Sequence, residues 1–198
     1  MTTKALLTKQ KIVSTAIGLF NMKGYRATSV SDITRATGFT KGAIYGNFKN
    51  KDAVAVAAFN YAIEKVTEQV RRAIKSAPDA PGKLKAITGY YRNYIKNPPI
   101  QGGCPIVNTA IEADDNHPQL RGRVIRTFGI FKDSIRKIIY RGVRENQLME
   151  SVDVDSFTLA LYAAIKGAII ISRAEGDLET YSQVEKHLNR QIDLITVK

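Results

Sequence analysis

Apolar residues recur along this chain at spacings of three and four, the period of helices that bury one face. No stretch shows the strict alternation of a strand. Ile12, Ala16, Leu19 and Phe20 predict an amphipathic first helix ending near Gly24. Val30, Ile33 and Ala36 predict a short second helix, capped by Ser29 and answered by Asp32 three residues on, as in a capping box. Gly38 should end that helix, because glycine takes a left-handed backbone without strain. Thr40 can cap a third helix with Ala43, Ile44 and Phe48 inward, leaving Lys41, Gly42, Tyr45 and Asn47 outward. Thr28 to Lys51 therefore reads as two short helices joined by a tight turn, the form of a helix-turn-helix, with the first helix packed across it. Asn50 and Lys51 open a long helix carrying Val54, Ala58, Tyr61, Ala62, Lys65 and Val66. It stops before Pro78, and Pro78 to Gly82 reads as a loop.

The pattern continues with a helix from about Lys83 to Ile95, stopped by Asn97-Pro98-Pro99. Gly102-Gly103-Cys104-Pro105 reads as a turn feeding a short helix through about Ala113, since proline suits a first helical position. Asp114 to His117 form a break. Pro118 starts a long helix with Leu120, Val124, Phe128, Phe131, Ile135, Ile138 and Ile139, ending near Asn146. Asp153 or Asp155 caps a helix to about Glu175 that is apolar nearly all round, and such a helix must be covered on every side. The final helix lines up Tyr181, Val184, Leu188, Ile192 and Ile195. These last two helices predict a homodimer surface, a four-helix bundle across a two-fold axis. The expected fold is all-α: a three-helix DNA-binding head over 1–50 and a helical effector-binding and dimerisation body over 51–198.

Charge sharpens this picture. The formal net charge is +12, and residues 1–51 hold nine Lys or Arg against Asp32 alone. Positive charge concentrated beside a groove-reading helix is the footprint of phosphate binding, and Arg26, Lys41, Lys49 and Lys51 flank the hairpin closely. Small residues at the start of the third helix would let its backbone lie deep in a major groove. Lys9 and Lys11 interrupt any early apolar run, so no signal peptide is expected. Phe157 to Ile171, the longest apolar run, contains Lys166 and reads as too short and too charged for a membrane span. The single cysteine, Cys104, excludes an intrachain disulfide and fits a reducing cytoplasm.

From about Lys11 to Phe59 the chain resembles the tetracycline-repressor (TetR) family of bacterial regulators. The residues that carry the likeness are Gly24-Tyr25, Thr28-Ser29-Val30, Gly38-Phe39-Thr40, the block Gly42 to Phe48 and Lys51-Asp52. Gly46, where relatives often carry a bulkier residue, and Thr34, in place of the more usual Ala, depart from the pattern. The resemblance implies a helical homodimer that represses by binding a palindromic operator in double-stranded DNA and is released by a small molecule. It implies phosphate contacts from Thr28, Tyr45 and Lys51, and base-edge positions for Thr40, Lys41 and Ala43. Ser29, Gly42 and Asn47 complete the expected DNA-binding set. The Gly-Cys-Pro-x-x-Asn segment followed by Glu112 resembles one recurrent group of C-terminal domains.

An effector pocket is expected among the helices from Lys51 to Asn146. Tyr61, Tyr90, Tyr94, Cys104, Asn108, Glu112 and Phe128 are its candidate lining, and an apolar or aromatic effector suits it. The switch would be a coupling free energy between that pocket and the head, with the long helix from Lys51 as the lever. Cys104, just before a helix start, is also a candidate electrophile or redox sensor. A basic protein that coats nucleic acid without sequence choice is a further alternative. An enzyme is not expected: His117 reads as a loop surface residue, His187 lies on the final helix, and neither accompanies a phosphate loop, metal-spaced cluster or nucleophile elbow. No cofactor and no metal are expected.

Overall fold

A computed structural model describes residues 3–113 and 117–197. The described residues include nine α-helices: α1 Thr3–Lys23, α2 Val30–Thr37, α3 Lys41–Asn47, α4 Lys51–Lys75, α5 Ala80–Lys96, α6 Pro105–Ala113, α7 Pro118–Arg144, α8 Val154–Glu175 and α9 Glu179–Leu194. The expected break from Asp114 to His117 lies outside the described residues except for His117. Packing divides the chain into two compact units, residues 1–66 with 99–127 and residues 67–98 with 128–198. These units are drawn differently from the sequence division after residue 50, because residues 51–66 and 99–127 pack with the head.

In the first unit α1 lies against α2, α3 and α6. Its core gathers Ile12, Ala16 and Ile17 of α1, Ile33, Ile44 and Phe48 of the hairpin, and Val54, Ala58 and Ala62 of α4. The inward line of α2 differs from expectation. Thr37 is buried and Ala36 faces solvent, because the fourth residue after Ile33 falls nearer its face than the third. The Thr37 hydroxyl is satisfied by donating to Ile33 O at 2.7 Å.

In the second unit α5 packs against α8 and α9, and α8 against α9. α5 begins three residues before its expected start. Asp79 caps it by accepting from Gly82 N at 2.7 Å, and Pro81 falls in the first turn, where its missing N–H would have had no partner. Tyr181 of α9 donates to Thr88 O of α5 at 2.8 Å. Buried Glu185 pairs with Arg92 Nε at 3.0 Å. Leu148 and Thr196 form an isolated antiparallel bridge.

α8 extends beyond the Phe157 to Ile171 run that read as too short and too charged for a membrane span. Its 22 residues make it long and apolar enough to cross a membrane. In the fold one face is buried between α5 and α9, while Leu159, Ala160, Ala163, Ile170 and Ile171 remain exposed on the rest.

Candidate nucleic-acid interface

The hairpin is built by local capping. Ser29 N donates to Asp32 Oδ2 at 2.9 Å and Asp32 N donates to Ser29 Oγ at 3.1 Å, the reciprocal capping box. The Ser29 hydrogen bonds, helped by Lys23 and Arg35, hold the Asp32 carboxyl below its ordinary range. Gly38 closes α2 in left-handed backbone at φ 74°. Thr40 then caps α3, accepting from Ala43 N at 3.2 Å. α3 is thereby fixed with Ile44 fully buried and with Lys41, Gly42, Tyr45 and Gly46 facing solvent. Tyr45 is half exposed, and among the described residues no carboxylate pairs with Arg26, Lys41 or Lys49. This is a basic, convex helix face with a phenol on it.

Three expected contact residues have other roles in this structure. Thr28 is fully buried, and its hydroxyl donates to Gly24 O at 2.7 Å, closing the turn after α1. A side chain with no accessible surface is not a phosphate ligand. The Lys51 ammonium donates to Tyr25 O at 2.9 Å and Thr28 O at 3.0 Å and lies 4.1 Å from the Tyr25 ring centroid. It ties the start of α4 to the α1–α2 turn. Asn47, expected outward, folds its amide back onto Ala43 O at 2.9 Å.

The same turn is held from the other side by α6. The Glu112 carboxylate accepts from Tyr25 N at 2.6 Å and Arg26 N at 2.8 Å. Asn108 Nδ2 donates to Asn21 O at 3.1 Å, Asn21 Oδ1 at 2.9 Å and Gly102 O at 2.9 Å. Asn21 in turn donates to Gln101 O at 2.7 Å and Gly103 O at 2.9 Å. Glu112 and Asn108, expected to line an effector pocket, instead fasten α6 to α1 and its following turn. They border a cavity of about 30 Å³ with Phe20, Tyr25, Phe59 and His117, which is water-sized.

His117 corrects another expectation. It is buried, its Nδ1 accepts from Leu120 N at 3.2 Å at the start of α7, and its ring meets Tyr25 edge-on at 4.7 Å. Burial, then Asp52 as hydrogen-bond and charge partner, push the Tyr25 phenol well above its ordinary value. Cys104 is buried in the same unit, which argues for a packing role rather than the exposed, reactive thiol of a sensor.

The remaining effector candidates are divided between the two units. Tyr61 packs on the first unit's core, whereas Tyr90, Tyr94 and Phe128 belong to the second unit. There Tyr90, Tyr91 and Tyr94 form a ring cluster with centroids 5.0–5.9 Å apart. Phe128 meets Tyr162 edge-on at 6.0 Å, and Phe131 stacks on Tyr162 at 6.1 Å. Sequence reasoning passed over Lys166, which is buried beneath these rings; its only signal was a charge inside an apolar run. The second unit also carries an open groove of about 530 Å³ between α4 and α7, lined by Val70, Arg71, Ile74, Ile130, Phe131 and Lys137 among others.

Comparison with known proteins adds a lineage to this geometry. The chain matches the family model for bacterial regulatory proteins of the tetR family over residues 12–58 and that for the tetracyclin repressor-like C-terminal domain over residues 80–188. A TetR transcriptional regulator from Chloroflexus aurantiacus J-10-FL is similar over 98% of both chains, at 35% identity and a TM-score of 0.95. One from Cytophaga hutchinsonii is similar over 100% of this chain and 99% of its own, at 33% identity and a TM-score of 0.90. The transcriptional repressor DhaR of Mycobacterium sp. strain GP1 is 23% identical over 175 residues, covering 88% of this chain and 87% of its own.

Proposed function

We propose that this chain, which belongs to the tetR family of bacterial regulatory proteins, is a cytoplasmic homodimeric repressor that leaves a palindromic operator when a small molecule occupies its second unit. Membership of the family makes it a DNA-binding transcriptional regulator rather than an enzyme. The observation that carries the proposal is α3: capped at its start, anchored by Ile44, and presenting Lys41, Gly42 and Tyr45 to solvent on a basic head. Lys41, Gly42 and Ala43 at the start of α3 are the proposed base-edge contacts, with Thr40 beside them. Tyr45 and the exposed Ser29 are the proposed phosphate contacts.

The uncovered apolar face of α8 supports dimerisation. Leu159 is 57% and Ile170 47% exposed, and a second copy placing α8 and α9 against its own would cover them. Two heads then meet two half-sites. The effector acts by binding one arrangement of the body more tightly than the other; α6, fastened to the α1–α2 turn by Glu112 and Asn108, and α4, fastened by Lys51, carry the change to the head.

The test is selection from randomised duplexes followed by fluorescence anisotropy. An inverted repeat should emerge, bound by two subunits and preferred over scrambled duplex at physiological salt. Equal affinity for both duplexes would instead describe a non-specific coating protein.

A further inference from the structure

The second unit buries a lysine that no carboxylate pairs with among the described residues. Lys166 is 8% exposed. Its ammonium donates to the Tyr91 hydroxyl at 3.0 Å and lies 4.1, 5.0 and 5.6 Å from the ring centroids of Tyr91, Tyr162 and Phe131. The buried carboxylate of this unit, Glu185, pairs with Arg92 instead. Removing an ammonium from water costs several kcal/mol. Ring faces and one phenol return part of that, and a counter-anion would return more. Two turns earlier on the same stripe of α8, the Thr158 hydroxyl is fully buried and makes no hydrogen bond. Thr158, Tyr162 and Lys166, at successive spacings of four, form a polar line along the buried face of α8.

Phe131 alone stands between this cluster and the groove between α4 and α7. Phe131 lines the groove and is also a wall of the lysine's cage. The floor is apolar, from Val70, Ile74 and Phe131, and the exposed rim carries Ile130 with Arg71, Lys75 and Lys137 against Asp133. About 530 Å³ is the scale of an ordinary small-molecule site.

We propose that Lys166 is the counter-charge of an apolar monocarboxylate whose body lies in the α4–α7 groove and whose headgroup reaches the ammonium past a rotated Phe131. The charge of the occupant follows from the cage: its rings already hold a cation, and the rim repels a second. A single ammonium with no guanidinium beside it suits one negative charge rather than the bidentate or multiply charged contact of a phosphate. This rests on the effector reading above and names the effector's chemical class.

The test uses the intact protein, with octanoate and 1-octanol as probes in isothermal titration calorimetry. Octanoate should bind the wild type, and Lys166→Met should weaken it at least about tenfold, roughly 1.4 kcal/mol, while 1-octanol binds both proteins alike. A lysine with a purely structural role would change both probes together. Lys166→Met keeps the volume and removes a buried charge, so folding should be retained; Lys166→Gln is the second variant and should show the same selective loss. No octanoate binding to the wild type, or equal octanoate affinity in wild type and variants, overturns the inference. Operator binding without any probe is measured on the same preparations. Its absence would sink the regulatory reading, whereas intact operator binding with octanoate indifferent to Lys166 sinks only the anion site.

Discussion

Glu112 stands where a side chain on Gly24 would have to go: a Cβ there would lie 2.8 Å from Glu112 Oε1. Gly24 has φ 86°, so the turn after α1 needs glycine twice, for its backbone and for the carboxylate that grips the next two amides. Replacing Glu112 by Ala leaves the Tyr25 and Arg26 amides without their acceptor. Hydrogen bonds to a charged acceptor are worth about 1.5–3 kcal/mol each, less where water can replace it. Chemical denaturation should show a loss of about 2 kcal/mol, and anisotropy should show weaker operator binding. A variant of unchanged stability and affinity would remove α6 from the coupling route.

Lys41 and Lys51 should separate in a salt titration. Lys41 is exposed on α3, so besides its proposed base-edge position its ammonium can neutralise one phosphate, which contributes about 0.9 to the slope of log affinity against log salt. Lys41→Ala should reduce the slope by about that amount. Lys51 holds two carbonyls within the head, so Lys51→Met should lower thermal stability and leave the salt slope unchanged. A slope reduced as much by Lys51→Met as by Lys41→Ala would restore Lys51 as a phosphate ligand.

What was legible in the sequence was what is local. Ser29 with Asp32, Gly38, and Thr40 with Ala43 interact across three or four residues, so spacing alone placed the hairpin and its caps. Ala36 and Thr37 were exchanged because a face defined by two apolar residues leaves the next position open by one. Pro81 read as loop because a proline in a first helical turn looks like a breaker until Asp79 is seen to cap it. Thr28, Lys51, Asn108 and Glu112 were recognised as important, but their partners within the fold were not foreseen. Those of Asn108 and Glu112 lie more than eighty residues away in sequence, and nothing periodic marks them. Lys166 was invisible as a site for the same reason: only the fold brings Tyr91 and Phe131 to it.

Gly46 offers a clean separation of stability from recognition. It faces solvent near the end of α3, and a Cβ there would meet no atom within 4 Å. Alanine is the better helix former by about 1 kcal/mol in a helix interior, so Gly46→Ala should raise the melting temperature. The added methyl lies on the face proposed to enter the groove, so operator affinity should fall or its sequence preference shift. Higher stability with an unaltered operator profile would place Gly46 outside the interface.

The exposed face of α8 should decide oligomeric state. Leu159 and Ala163 are four residues apart and both exposed, so a charge at either would have to be buried in the proposed bundle. Leu159→Lys and Ala163→Glu should run as monomers in light scattering with helical content intact. Operator affinity should fall by at least about tenfold, since one head reads one half-site. Dimers that persist in both variants would move the interface off α8.

Glu185 sets a pH dependence whose sign can be fixed in advance. Burial raises its carboxyl above the ordinary value of 4.5, with Arg92 opposing. The folded state therefore holds this proton more tightly than the unfolded chain does. In the window just above 4.5, folding takes up a proton and stability falls as pH rises. Glu185→Gln cannot titrate, so the stability of wild type minus that of the variant should decline through this window and level off once the folded-state carboxyl is ionised. Urea denaturation of both proteins from about pH 4 to 7.5 measures that difference directly. A difference that grows with pH would mean that the Arg92 ion pair outweighs the loss of water around the carboxylate, and that Glu185 is ionised in the fold at lower pH than its burial implies.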